Sequence, residues 1–213
     1  MYIIMPYQFQ FFINHHLHFS GDLERRRCLG RNKNGKRCAR YVCIGLPYCF
    51  QHSLQHFHLK IKPSTLPNSG KGLFAVDPSK RENATIFLPG HSICEYTGQI
   101  MNLADLHRRY DEHNANGVRI AEHTAPYALE LNNTTGIDAA TSRGIGSLAN
   151  HKPLNQCNAI FEPKTIGPRG NRRHVIMLQC IRPIRNNQEI FVDYNEDYQF
   201  DPEETNRTIY KRN

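Results

Sequence analysis

A chain of 213 residues with 39% hydrophobic and 22% charged side chains can build one domain of about 130–150 residues plus a small appendage. Twelve prolines, fourteen glycines and no tryptophan point to a turn-rich, irregular fold, and no apolar run approaches the roughly 20 residues that span a bilayer as a helix. The formal charge of +8 is uneven: residues 21–40 hold eight basic against two acidic side chains, whereas residues 61–213 hold 18 against 17.

Residues 1–20 are apolar and aromatic but interrupted by Pro6, Gln8, Gln10, Asn14, His15 and His16. They lack a basic start and a small-residue cleavage site, so the expectation is a tail rather than a secretion signal. The basic stretch that follows contains Arg25, Arg26, Arg27, Arg31, Lys33, Lys36, Arg37 and Arg40. Such a run is either a solvated face or a contact for nucleic-acid phosphates, the latter through residues 25–40.

Four of the seven cysteines, Cys28, Cys38, Cys43 and Cys49, fall within twenty-two residues, and His52 follows Cys49 at chelating distance. Ligands three positions apart curl around one ion, and Asn34-Gly35-Lys36 supplies the turn that brings Cys28 to Cys38. A Cys₃His zinc site of Cys28, Cys38, Cys49 and His52 is expected, with Cys43 as the competing ligand and disulfides as the alternative. The run Gly45-Leu-Pro-Tyr48-Cys49-Phe-Gln-His52, after a basic glycine turn and Arg37-Cys38, resembles small zinc-knuckle-like modules. Residues 21–57 form this unit, and a segment so short and charged would draw much of its folding free energy from the metal.

After Lys60-Ile-Lys-Pro63, the stretch Asn68-Ser-Gly70-Lys71-Gly72-Leu73-Phe74-Ala75 reads as a glycine turn entering a strand. Alternation from Ile86 to Gln99 predicts a strand ending at Gly98. Leu103 to Tyr110 has apolar residues at helical spacing and is predicted to be a short helix. Tyr127-Ala-Leu-Glu-Leu131 reads as a strand, then Asn132 to Gly136 as a tight turn leading into Ile137-Asp138-Ala139. Next come Arg143-Gly144, Gly146-Ser147-Leu148-Ala149, Asn150-His151-Lys152 and Asn155-Gln-Cys157-Asn158-Ala159. From Val175 the pattern is strand, turn and strand, ending in Glu189-Ile-Phe-Val-Asp193-Tyr194.

In this order the segments resemble the signature of SET-domain lysine methyltransferases across residues 66–198. The resemblance implies a mostly β fold with short helices, small sheets around a knot-like crossing of the C-terminal segments, preceded by the zinc module. The SET domain would span 62–200 and a tail 201–213. It implies that Gly70, Lys71, Gly72 and Leu73 cradle S-adenosyl-L-methionine through backbone groups, that Asn150 and His151 clamp the same molecule, and that Tyr96 lines a lysine channel. Tyr194 would be the main catalytic residue, touching donor and amine alike. The helix at 103–110 corresponds to the variable insert of the family. The family pattern has Ala-Arg-Phe where this chain has Gly146-Ser147-Leu148-Ala149, so its arginine is absent and Ser147 is a departure; Lys152 replaces serine, Asn195 replaces glycine, and the Asn155–Ala159 step lies one or two residues late. Val192 sits where the family often carries Phe or Tyr to control methylation state. Tyr198 and Phe200 are candidates to close the channel.

The activity implied is S-adenosylmethionine-dependent methylation of a protein lysine, a histone tail for preference, in the nucleus and without a membrane. The alternatives are a catalytically weak SET-fold binding protein that works through its basic zinc module, and a nucleic-acid-binding protein in which the SET body is scaffold.

Overall fold

The computed structural model describes residues 26–42, 47–67, 69–111, 127–139 and 144–194. At its start β1 (Arg26–Arg27) pairs antiparallel with β2 (Tyr41–Val42), closing a loop that carries two of the cysteines. Asn32 holds the tip of this loop, its Oδ1 accepting from the N–H groups of Asn34 and Lys36. Gly35 completes the turn with φ 73°, an angle that costs a residue without Cβ little.

Helix α1 (Phe50–Phe57) starts from the extended Cys49 and ends at His58, whose left-handed backbone (φ 54°) lets its N–H bond to the Leu54 carbonyl. Leu59 follows at once and opens β3 (Leu59–Pro63), which pairs with β4 (Lys71–Ala75) from Leu59↔Ala75 to Pro63↔Lys71. One residue therefore joins the cysteine-bearing region to the main sheet.

The chain continues through β5 (Thr85–Phe87), β6 (Ser92–Tyr96), β7 (Gln99–Asn102), α2 (Leu103–Asp111), β8 (Ala128–Glu130) and β9 (Thr135–Asp138). A 3-10 turn at Ile145–Leu148 leads to β10 (Asn150–His151), β11 (Ala159–Ile166), β12 (Arg173–Cys180), β13 (Ile184–Arg185) and β14 (Glu189–Val192). The main sheet runs β3-β4-β14-β11-β12-β6, with β10 attached to β14. Strands β7-β9-β8 form a second sheet, and β5 pairs with β13.

Strand β14 is buried along its whole length and reads as a nearly continuous apolar run, as expected of a strand covered on both faces. It lies antiparallel to β4 and parallel to β10 and β11, so segments about forty residues apart in sequence cross there. Leu73, Leu178, Ile184, Ile190 and Val192 are fully buried beneath this crossing. A second cluster places Tyr96 with Ile137, Ala139 and Ile176. Tyr127 and Phe161 pack against both clusters and link them.

Helix α2 falls where apolar spacing predicts it, and the predominance of β-structure agrees with the expected class. The single strand expected from Ile86 to Gly98 is instead two. Pro89 and Gly90, the latter at φ 87°, make a turn between β5 and β6, and the two strands belong to different sheets. The eight-residue β11 has no precursor among the predicted elements. Its central Pro163 argues against a strand, but the residue is exposed and sits opposite Ile176 without breaking the register. Residues 1–20, Cys43, Arg143, Asn195, Tyr198, Phe200 and the 201–213 tail lie outside the described residues.

Candidate functional site

The crossing of β10 and β14 puts Asn150 opposite Phe191 and His151 opposite Val192. Lys152 extends it through its N–H, which bonds to the Val192 carbonyl at 2.9 Å, while its ammonium lies 4.2 Å from the centre of the Phe191 ring. The side-chain nitrogen of Asn150 donates to the Lys71 carbonyl, the Ser64 hydroxyl and Glu189 Oε1, each at 3.1 Å. The ladder between β4 and β14 ends at Leu73, and beyond it Asn150 meets the main chain of the glycine segment.

Gly70 turns the chain with φ 62°, and Gly72 lets it lie flat against the crossing. A Cβ at Gly72 would fall inside the Glu189 carboxylate and 3.2 Å from the Asn150 amide nitrogen. Glu189, 3% exposed, accepts from the Ser64 hydroxyl at 2.7 Å and from both the N–H and hydroxyl of Thr65 at 2.6 Å. One carboxylate thus ties the loop before the glycines to Asn150. A buried carboxylate is costly unless its lone pairs are filled, and this one is filled by four donors.

His151 Nδ1 accepts the backbone N–H of Tyr194 at 3.1 Å, which places the proton of the neutral ring on Nε2. The Asp193 carboxylate lies 3.8 Å from the same nitrogen, and the His151 and Tyr194 rings are 5.3 Å apart. The Tyr194 hydroxyl donates to the Ala149 carbonyl at 2.6 Å, directly before Asn150. Asn150, His151 and Tyr194 are all half-buried, as are Gly70 and Lys71, so this edge stays open beside a closed core.

Tyr96 is 3% exposed, and its hydroxyl donates to the Tyr127 carbonyl at 2.6 Å. The Phe161 ring stands edge-on to it at 5.1 Å. Tyr127 also accepts the Ala139 N–H, so one carbonyl fixes both the tyrosine and the end of β9.

Two further residues matter that stand in the quoted motifs but carry no expected role there. Asn158 bridges the backbone of β14, its amide donating to the Glu189 carbonyl and accepting from the Phe191 N–H, both at 2.9 Å. A turn in which the Gln156 and Cys157 N–H groups bond to the Pro153 carbonyl absorbs the extra residues that put this step late. Glu189 is the other. A lone carboxylate opening a fully buried strand is the signal that would have found it, because it must have partners.

In the N-terminal region the ligand atoms of Cys28, Cys38, Cys49 and His52 all lie within 4.8 Å of one another. His52 Nδ1 is 3.4 Å from the Cys28 sulfur and 3.3 Å from that of Cys49. The edges of a tetrahedron with zinc bonds of roughly 2.0–2.3 Å are of this size. The other ring nitrogen, Nε2, is 3.0 Å from the Arg31 carbonyl, which orients the imidazole toward the thiols. Backbone N–H groups of Gly30 and Cys49 point at the Cys28 sulfur from 3.3 and 3.2 Å, favouring a thiolate there. Burial pushes the Cys28 thiol up. At Cys49 burial acts in the same direction but is outweighed by hydrogen bonds from the His52 N–H and ring, Cys28 and the Gln51 N–H, which pull it down to about 6. Such a set suits a zinc-sized ion.

A family model described as the SET domain matches residues 70–195. The chain belongs to the SET-domain family, whose members are generally protein-lysine methyltransferases. Among solved structures, ctPRC2 in complex with H3K27me3 and H3K27M is 21% identical with a TM-score of 0.51, over 69% of this chain and 16% of that one. The Chaetomium thermophilum polycomb repressive complex 2 is 22% identical with a TM-score of 0.49, over 66% of this chain and 15% of that one. The first likeness shows a shared fold, and the chain spans about a sixth of that neighbour's length. No curated protein matches the chain. No helix among the described residues is long and apolar enough to cross a membrane.

Proposed function

We propose that the chain transfers methyl groups from S-adenosyl-L-methionine to a lysine of a protein, a histone tail being the substrate class. The observation that carries this reading is the crossing of β10 and β14, which gathers Asn150, His151 and Tyr194 beside Gly70–Gly72. The half-buried backbone of Gly70 and Lys71, with the amide of Asn150 and the imidazole of His151, suits the polar ends of the donor. Leu73 of β4 packs beneath them. When bound, the donor supplies an electrophilic methyl group.

The chain's own residues supply what the lysine needs. Free lysine titrates near 10.4, so a channel between Tyr96 and Tyr194 serves to desolvate its ammonium and favour the neutral amine. With its proton engaged on the Ala149 carbonyl, Tyr194 keeps its oxygen lone pairs to accept from the amine. Tyr96, held by Tyr127 and Phe161, forms a rigid wall. Histone as substrate rests on the fold neighbour solved with H3K27me3 and H3K27M, and a nuclear location follows from that substrate.

The Cys28–Cys38–Cys49–His52 cluster binds one zinc ion in this reading and folds the region at 21–57. A second reading, a catalytically weak binding protein, is favoured by Ser147, whose hydroxyl donates to the Gly144 carbonyl, and by Lys152 packed on Phe191. Incubation with labelled S-adenosylmethionine, histones and a cell extract separates the two. Labelled histone that vanishes with Tyr194→Phe, donor binding being kept, supports transfer; intact donor binding without any labelled protein supports the second reading.

A further inference from the structure

Residues 26–57 hold seven basic side chains and not one carboxylate. Among the described side chains, none of the ion pairs involves Arg27, Arg31, Lys33, Lys36, Arg37 or Arg40. Their guanidiniums are instead held by neutral carbonyls: Arg31 donates to Gly35 at 2.8 Å, Arg27 to Cys38 at 2.8 Å, and Arg37 to Arg27 at 2.8 Å and to Cys28 at 3.1 Å. Their positions are fixed, and no carboxylate of the described residues pairs with them. Lys33 and Lys36 flank the loop tip and are exposed.

Two largely exposed aromatic rings stand among these charges. Tyr41 is 68% and Phe50 61% exposed, although rings of this size ordinarily bury. Tyr41 pairs across the strands with Arg27, and the Arg40 guanidinium sits 4.9 Å over the Phe50 ring while bonding to Gln51. Phosphates at regular spacing match the cations, and unpaired base faces match the rings. A duplex offers the phosphates and hides the faces.

We propose that this face binds single-stranded nucleic acid, with Arg31, Lys33, Lys36 and Arg40 on phosphates and Tyr41 and Phe50 stacking on bases. The proposal is independent of methyl transfer and relies on the zinc reading only for the fold of the region. The experiment is fluorescence anisotropy on the full chain, its zinc content measured, with labelled oligo-dT, oligo-U, the matching duplex and a poly-glutamate competitor over a range of salt. Tighter binding of either single strand than of duplex is expected, with a slope of log affinity against log salt near −3 for four phosphate contacts. Preference between oligo-dT and oligo-U tells DNA from RNA. Tyr41→Ala with Phe50→Ala should weaken binding about tenfold or more and leave the slope unchanged. Lys33→Gln with Lys36→Gln should cut the slope by roughly 1.4. Equal or tighter duplex binding, equal competition by poly-glutamate, or an unchanged aromatic variant overturns the proposal. A metal-free chain that still binds overturns the zinc reading alone.

Discussion

Replacing Glu189 with Gln changes charge and two hydrogens while keeping shape, and the geometry dictates how the new amide must sit. Its oxygen belongs toward the Thr65 N–H and hydroxyl, which leaves the NH₂ facing Ser64 and the side-chain nitrogen of Asn150. Ser64 can accept only by giving up one of the two N–H groups its oxygen already takes, those of Asn150 and Leu66. Asn150 cannot, because its nitrogen also serves the Lys71 carbonyl. One charged hydrogen bond becomes a donor–donor contact and the others become neutral, a loss of about 1.5–3 kcal/mol in a site 3% exposed. For a chain of this size that corresponds to a melting temperature lower by roughly 4–10 °C. Because the strain lands on Asn150 and the glycine segment, donor affinity measured by calorimetry should fall about tenfold, equivalent to 1.4 kcal/mol. A double-mutant cycle with Asn150→Ala should show coupling of roughly 1 kcal/mol. A variant melting within about 1 °C of the parent, or additive single effects, would refute the view of Glu189 and Asn150 as one network.

Asn158→Ala strands the Phe191 N–H and the Glu189 carbonyl in a buried place, and urea unfolding should register a loss of about 2–5 kcal/mol. Cys28→Ser should reduce zinc content from about one ion per chain to a small fraction and loosen residues 26–57 to proteolysis, the SET body surviving; full zinc occupancy in that variant would remove Cys28 from the ligand set. Asp77 is held below the usual carboxylate range by the hydroxyl and N–H of Ser79, with His58 and Lys80 adding charge attraction. A lowered folded pKa means its contribution is complete above the unfolded value near 3.8 and is lost as pH falls through the folded one. Asp77→Asn should therefore lower stability near neutrality and flatten the acid limb of a stability–pH curve below pH about 4, the variant and parent curves converging at the acid end.

The parts legible in the sequence were those where local chemistry and function coincide. Gly70 and Gly72, the Asn150-His151 pair and the Tyr194 terminus are found side by side, as their order suggested. Cys28, Cys38, Cys49 and His52 converge as their spacing implied. What escaped was set by partners distant in sequence. Glu189 has its donors 39 to 125 residues away, and no local pattern marks it beyond a charge opening an apolar run. Asn158 looked displaced because spacing was counted along the chain, whereas the Pro153 turn folds the surplus away. Strand β11 was hidden by Pro163, a residue tolerable there only because of how the strand lies in the sheet.

The place of β14 in the sheet also bears on how the chain reaches its native state. Synthesis proceeds from the N-terminus, so β3–β4 and the β11–β12–β6 unit exist before the strand that belongs between them. Until residues 189–192 arrive, β4 and β11 each present an open edge, the kind of surface on which chains aggregate. Insertion of one short apolar strand then closes both edges and assembles the pair His151 and Tyr194 in the same event. The pairing of His151 with Tyr194 and the escape from misassembly thus arrive together, in the last strand of the described residues.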